Sequence, residues 1–207
     1  MNPMMSRLSP DATTMIRMDH THVVATFHKY RVDASPSKKR AIANTICLAL
    51  EIHAKLEEEI FYPAMRKVDP EIVDKSIPEH NEMRRLIAQL RAADPADTAF
   101  DRALMELMRD VLRHVADEET MLLPDAERVL GDRLGELGAR MTKRRFELLA
   151  PKAGQVAINT IRTFPVPVLA MSGLLMVGAF LAGRAITAPD HPRLRDLQPR
   201  RLRARLS

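Results

Sequence analysis

Two segments of this chain carry the same polar pattern at the same internal spacing. HAKLEEEIFYP occupies residues 53–63 and HVADEETMLLP occupies residues 114–124, so a histidine, two consecutive glutamates and a proline recur at identical offsets. An acid–histidine pair precedes each segment: Asp19-His20, with its histidine 33 residues before His53, and Glu79-His80, with its histidine 34 residues before His114. A unit of the form acid-His … His-x-x-x-Glu-Glu therefore occurs twice, about sixty residues apart.

Apolar residues around these histidines recur every three or four positions, the spacing that places side chains on one face of an α-helix. Four such stripes are present, and each contains one of the four histidines. Their members are Ile16, His20, Val23, Phe27 and Tyr30; Ile42, Ile46, Ala49, His53, Leu56 and Ile60; Val73, Ile77, His80, Met83, Ile87 and Leu90; and Phe100, Leu104, Leu107, Val111, His114, Glu118 and Met121. The pattern predicts an all-α protein, an up-down-up-down four-helix bundle with a C-terminal helical extension.

Prolines and acidic residues at the segment boundaries predict where the helices begin and end. The expected ranges are about 11–32, 38–67, 70–93 and 97–130, with Gly131 ending the fourth helix. Pro63, Pro78 and Pro124 fall inside or near the ends of these ranges, so we expect them to kink or terminate the helices.

Carboxylates on the buried faces of these helices need a compensating charge. An unpaired buried glutamate costs several kcal/mol or shifts its pKa until it is neutral. A pair of divalent or trivalent cations would supply that charge, and imidazole with carboxylate is a ligand set suited to iron, manganese or zinc. The predicted metal ligands are His20, His53, Glu57, His80, His114 and Glu118.

With these residues in place, the chain resembles the hemerythrin-like family, the HHE cation-binding domains, over roughly residues 10–130. The resemblance implies a four-helix bundle around a non-haem di-iron centre. It implies that the four histidines are terminal ligands of two iron ions, that Glu57 and Glu118 bridge the ions, and that an oxo or hydroxo group is a candidate third bridge. Manganese and zinc stay open as alternatives.

One position departs from the oxygen-carrying members of that family. They have a further histidine one turn after the first on the third helix, where this chain has Arg84, four residues after His80. The resemblance therefore implies binding or sensing of oxygen or a related small diatomic or peroxide ligand rather than reversible oxygen carriage. The alternatives are a di-iron enzyme acting on peroxide or nitric oxide, and an iron-sensing or structural metal module. No conventional catalytic signature decides whether the chain is an enzyme.

Other polar residues near the motifs receive less specific interpretations. Glu58, Glu59 and Glu119 are expected to be solvated charges or partners of the ligands, and His22, two residues from His20, is expected to be exposed. For Tyr30 and Tyr62 we expect core packing in preference to hydrogen bonding at the site, and for Cys47 an inert buried thiol.

The composition changes after residue 131. We divide the chain into a hemerythrin-like bundle (1–131), a basic helical linker (132–163), a hydrophobic segment (164–186) and an Arg-rich tail (187–207). Residues 151–207 contain nine basic and two acidic residues, a net charge of +7, so the rest of the chain carries −2 of the total of +5.

Residues 164–183 contain no charged residue. An uncharged segment of this length is typical of a transmembrane helix. A buried or oligomer-forming helix would have a similar sequence, and the oligomeric state stays open. We expect a cytoplasmic domain anchored to the inner membrane, with lipid contacts through 164–205 and no nucleic-acid partner. Residues 1–18 lack the apolar core of a signal peptide, and one cysteine in 207 residues fits a reducing compartment.

Overall fold

The structure, a computed structural model, describes residues 9–66, 68–152 and 154, and the part it describes is helical without a strand. Helix α1 spans Ala12–Phe27. Helix α2 runs through Pro36–Leu56, a π-helical turn at Glu57–Phe61 and Tyr62–Met65. Helix α3 spans Pro70–Ala92, and α4 runs through Thr98–Asp117, a second π-helical turn at Glu118–Leu122 and Leu123–Leu130. Helix α5 spans Arg133–Leu149 and continues into a 3-10 turn at Ala150–Lys152.

Contacts at the two ends of the bundle establish that α1 runs antiparallel to α2 and α4, and the start of α2 likewise contacts the end of α3. At one end Arg17, near the start of α1, pairs with Glu127, near the end of α4. At the other end the Nζ of Lys39, near the start of α2, lies 2.8 Å from Asp101 in the first turn of α4. Tyr30, just after α1, donates a hydrogen bond to the same carboxylate. The predicted all-α, up-down-up-down bundle is confirmed.

Local sequence accounts for most helix boundaries. The Asp11 carboxylate accepts a hydrogen bond of 2.8 Å from the Thr14 N–H at the start of α1, and Asp69 caps α3 in the same way through Ile72. Gly131 ends α4 with a φ of 44°, a left-handed conformation that glycine adopts without steric cost. Helix α1 ends at Phe27, earlier than expected, because the chain then tightens into turns that direct Tyr30 inward.

The two π-helical turns lie next to two of the prolines that were expected to kink or terminate the helices. Each turn begins at the first glutamate of a His-x-x-x-Glu-Glu motif and lies just before the proline, Pro63 or Pro124. A proline in an α-helix collides with the carbonyl four residues earlier, and a wider π-helical turn relieves that collision. Neither proline terminates its helix, and α3 likewise continues through Pro78.

The extra residue in each π-helical turn also changes which side chains face the core. Met121, expected on the buried stripe of α4, is 41% exposed, whereas Leu122 and Leu123 are fully buried. The prediction for Met121 is wrong because it continued an α-helical period through a π-helical turn.

Two apolar clusters fill the bundle on either side of the four histidines. One cluster uses residues that follow the histidines on α1 and α3 and precede them on α2 and α4, among them Phe27, Ile46, Leu86 and Leu107. The other uses the opposite ends of these helices together with α5, among them Ile16, Phe61, Val73, Leu123 and Met141. The histidines therefore lie in a polar layer between two apolar layers.

Helix α5 packs against the bundle through Leu134, Leu137 and Met141, which belong to the second of these clusters. A Cβ atom built at Gly138 would lie 2.8 Å from the Cα of Asp11 and closer still to the carbonyl oxygen of Pro10. Only a glycine allows the two backbones to approach this closely. We therefore treat Arg133–Leu149, predicted as part of a basic helical linker, as an integral element of the folded unit.

The predicted hydrophobic segment (164–186) and Arg-rich tail (187–207) lie outside the described residues. Among the helices that are described, none combines the length and apolarity needed to span a membrane. The membrane anchor stays a prediction from sequence.

The close approach at Gly138 leads to a testable prediction. Gly138→Ala should destabilise the fold by about 1–3 kcal/mol, the usual cost of forcing extra volume into a packed contact. Gly135→Ala is the matched control, because a Cβ atom there meets no atom within 4 Å. In that variant the higher helix propensity of alanine should stabilise the protein by up to about 1 kcal/mol. Urea unfolding of the two variants tests this, and equal midpoints would contradict the proposed packing of α5.

Candidate metal centre

Six ionisable side chains converge in the polar layer of the bundle, and they are the six predicted as metal ligands. Each is at most 3% exposed: His20 on α1, His53 and Glu57 on α2, His80 on α3, and His114 and Glu118 on α4. Two overlapping groups of their polar atoms lie within 4.8 Å of one another: His53, Glu57, His80 and His114, and His20, His53, Glu57 and Glu118.

The two carboxylates occupy the middle of this cluster. Glu57 Oε2 lies 3.2 Å from His53 Nε2 and 3.4 Å from His80 Nε2. Glu118 Oε2 lies 3.3 Å from His20 Nε2 and 3.5 Å from His114 Nε2. Each glutamate thus serves two histidines on different helices, an arrangement suited to a carboxylate shared by two ions.

A second ring of carboxylates faces the outer nitrogens of the same histidines. Three of the Nδ1 atoms lie 2.9 Å from a carboxylate oxygen: His20 from Glu119, His80 from Glu58 and His114 from Glu79. The fourth, His53 Nδ1, lies 3.6 Å from Asp19. A carboxylate on Nδ1 holds a proton there and fixes the ring orientation, so that Nε2 presents its lone pair to the interior.

Two of these outer carboxylates face a histidine of their own half of the duplicated motif, and two face a histidine of the other half. The acid that precedes the histidine of α1 faces the histidine of α2, and the corresponding acid of α3 faces that of α4. The second glutamate of α2 faces the histidine of α3, and that of α4 faces the histidine of α1. Sequence analysis left Glu58 and Glu119 open between solvated charges and partners of the ligands, and the structure places them as partners.

The nitrogen and oxygen atoms that face the interior of the polar layer are better placed to bind a cation than to hydrogen-bond to one another. The Nε2 atoms of His80 and His114 lie only 3.2 Å apart, although both would present lone pairs. His20 Nε2, Glu57 Oε1 and Glu118 Oε2 are buried without a hydrogen-bond partner. Each such atom is costly in a protein interior. A positive charge among imidazole and carboxylate donors removes that cost for all of them.

Burial and mutual proximity perturb the proton affinities of these groups in opposite directions. Burial and the neighbouring charge of Glu118 raise the pKa of Glu57. Burial also opposes ionisation of Glu118, but the neighbouring imidazoles, His114 foremost, outweigh it, so the pKa of Glu118 is lowered. Burial lowers the pKa of His53 to about 4, so this imidazole is neutral at neutral pH and able to act as a ligand.

Tyr62 reaches the site, although core packing was the preferred expectation for it. Its hydroxyl lies 2.7 Å from Glu118 Oε1 and 3.3 Å from Glu57 Oε2, and its ring stacks on that of His80. Burial and the two carboxylates raise its pKa above the usual value, so the hydroxyl remains protonated and donates. The signal in the sequence was its place five residues after Glu57, which a π-helical turn brings back over the site.

The remaining polar residues near the motifs lie away from the layer. Arg84 holds both oxygens of Glu58 at 2.6 Å from the solvent side, and Glu59 pairs with Arg144 on the surface. His22 is exposed, as predicted. Tyr30 joins the Lys39–Asp101 ion pair at the far end of the bundle.

A sequence-family profile described as the hemerythrin HHE cation binding domain matches residues 11–126, more than half of the chain. The chain belongs to this family. It is accordingly a metal-binding helical domain, and the His/Glu clusters are where such a metal fits.

Two proteins are similar to this hemerythrin HHE chain, and the similarity covers different fractions of their lengths. The crystal structure of a hemerythrin HHE cation binding domain-containing protein from Mycobacterium kansasii aligns with a TM-score of 0.62 at 16% identity, covering 75% of this chain and 99% of that one. At that identity the likeness concerns the fold. A Nostoc sp. (strain PCC 7120) protein named DNA nickase is 33% identical over 109 residues, or 52% of this chain. The match spans 31% of the length of the Nostoc protein.

The only cysteine of this hemerythrin HHE chain should be chemically inert in the folded protein. Cys47 is 2% exposed in an apolar cluster, and burial raises its pKa to about 12. A thiol with so little thiolate reacts slowly with disulfide reagents. We expect no labelling by Ellman's reagent in native protein and one labelled thiol per chain in denaturant. Rapid labelling of the native protein would contradict the burial of Cys47.

Proposed function

We propose that this domain holds two iron ions and uses them to bind or sense oxygen or a related small ligand. The ligands are His20, His53, Glu57, His80, His114 and Glu118, the six side chains of the polar layer. The observation that carries the proposal is the convergence of buried nitrogen and carboxylate atoms that have no hydrogen-bond partner. Two central carboxylates, each close to histidines of two helices, match two ions better than one.

When bound, iron supplies reversible redox chemistry and coordination positions for a small molecule, and the protein residues control both. The apolar layers on either side exclude bulk water. The outer carboxylates hold the imidazole rings in orientation through Nδ1. Tyr62 keeps a proton on its hydroxyl between the two central carboxylates, where it donates a hydrogen bond into the site.

Burial supports a small ligand. None of the six residues is more than 3% exposed, so molecules larger than a diatomic or a peroxide would need the helices to separate. Arg84 occupies the position of the extra histidine of the oxygen carriers and contacts Glu58 on the outside instead. This arrangement favours binding or sensing over reversible oxygen carriage.

Two alternatives use the same residues. A di-iron enzyme acting on peroxide or nitric oxide would turn over its substrate, whereas an iron-sensing or structural module would change only the stability of the bundle. The nickase activity in the name of the Nostoc protein is not part of our proposal, because the match reaches less than a third of that protein.

The direct test is metal analysis of the full-length protein, purified without oxygen. We expect two irons per chain and a visible absorption spectrum that changes when air or azide is added. A visible absorption spectrum that changes with neither air nor azide would favour the structural module. Zinc alone, or no metal, would overturn the di-iron proposal, and steady consumption of peroxide or nitric oxide would favour the enzyme.

Variants of single ligands should separate the polar layer from the surface histidines. His53→Ala and Glu118→Ala should each lose one or both irons and lower the melting temperature, because one partner of a buried charged cluster is removed. His22→Ala is the control, since this exposed histidine should change neither quantity. Equal iron content in all three variants would contradict the assignment of the ligands.

A further inference from the structure

One of the four outer carboxylates is held differently from the other three. Glu58, Glu79 and Glu119 each lie 2.9 Å from the Nδ1 of their histidine. Asp19 lies 3.6 Å from His53 Nδ1, and that nitrogen is buried without a hydrogen-bond partner. His53 is therefore the only one of the four site histidines whose outer nitrogen is not hydrogen-bonded.

Asp19 also contacts an arginine on the fifth helix. Arg145 engages both oxygens of Asp19 with its two terminal nitrogens, with an Nη1–Oδ1 distance of 2.7 Å. This bidentate, charge-assisted pair is stronger than a single hydrogen bond to a neutral imidazole. Glu58 is also contacted by an arginine, but Arg84 reaches both of its oxygens with a single nitrogen and Glu58 keeps its bond to His80. Arg145 places a separate nitrogen on each oxygen of Asp19, and the approach of Asp19 to His53 is incomplete.

The fifth helix packs tightly against the bundle, which keeps Arg145 next to Asp19. Gly138 lets its backbone approach that of Pro10 and Asp11 closely, and Leu137 and Met141 are buried against the bundle. The side chain of Asp19 is 15% exposed and that of Arg145 is 28% exposed, so the ion pair is only partly screened by water.

We propose that Arg145 is a positioning residue that, by holding Asp19 away from His53, leaves this ligand less basic and less firmly oriented than the other three histidines. The inference rests on the proposed function, because it takes His53 as a metal ligand. It adds a role for the fifth helix, which lies outside the four-helix bundle that provides the six ligands. Through one ion pair, that helix sets how tightly the metal is held.

The prediction concerns the rate of metal loss from full-length protein loaded with Fe(II). Arg145→Gln should let Asp19 hydrogen-bond to His53, as the other three outer carboxylates do with their histidines. Release of Fe(II) to an excess of chelator, measured without oxygen, should then slow roughly two- to tenfold, the range given by one ordinary hydrogen bond. Asp19→Asn should accelerate release by about tenfold or more, as is usual when the partner of a ligating histidine is removed.

The double variant Asp19→Asn/Arg145→Gln tests whether Arg145 acts through Asp19. It should release Fe(II) at the rate of Asp19→Asn alone. If Arg145→Gln slows release by the same factor in both backgrounds, the effect is simple charge repulsion of the cation and the inference is wrong. Arg145→Lys keeps the charge but not the bidentate contact, so it should also slow release; the wild-type rate in that variant would contradict the inference.

Arg144→Gln is the matched control, because Arg144 is the neighbouring residue on the same helix and pairs with Glu59, which contacts no histidine of the site. It should leave the release rate unchanged. Iron content and melting temperature are measured for every variant. Wild-type protein that retains no Fe(II) would overturn the proposed function itself. Full loading of wild type and Arg145→Gln with equal or faster release from the variant would overturn the role of Arg145 alone.

Discussion

The packing of this bundle depends on the burial of two glutamates among four histidines. Glu57 and Glu118 are at most 1% exposed, and apolar clusters lie on both sides of them. A pair of carboxylates in such a place would repel and would oppose folding unless positive charge accompanied them. A cation bound among the four imidazoles would supply that charge. The free energy of metal binding and that of folding are consequently linked in this domain.

The duplication of the motif has a structural meaning that neither copy has alone. Within each pair of helices, the acid before the first histidine supports the second histidine, or in the case of Asp19 approaches it. Across the pairs, the second glutamate of one motif supports the first histidine of the other. Each half of the bundle thus provides an outer carboxylate to one histidine of the opposite half. A single copy would leave one of its two histidines without an outer carboxylate.

The helices and the six converging residues could be predicted from sequence, because spacing of three and four determines which side chains share a helix face. This spacing alone places His20 with Val23 on one face, and Leu107 with Val111 on another. Three features could not be read in this way. The π-helical turns change the period locally, so Met121 was placed inside and core packing was preferred to a site contact for Tyr62. The pairing of Asp19 with Arg145 joins residues 126 positions apart. The packing of α5 depends on a backbone contact at Gly138, which leaves no periodic trace.

The π-helical turns make the length of each motif as restrictive as its chemistry. Removing one residue between Glu118 and Pro124 would return α4 to α-helical pairing and rotate everything after the deletion by about 100° relative to the layer. Leu122 and Leu123 would leave the core, and the ring of Pro124 would again meet a carbonyl in its path. The same holds for α2 at Pro63. Over these short stretches the chain can exchange side chains, such as Ile60-Phe61 for Met121-Leu122, far more readily than it can gain or lose a residue.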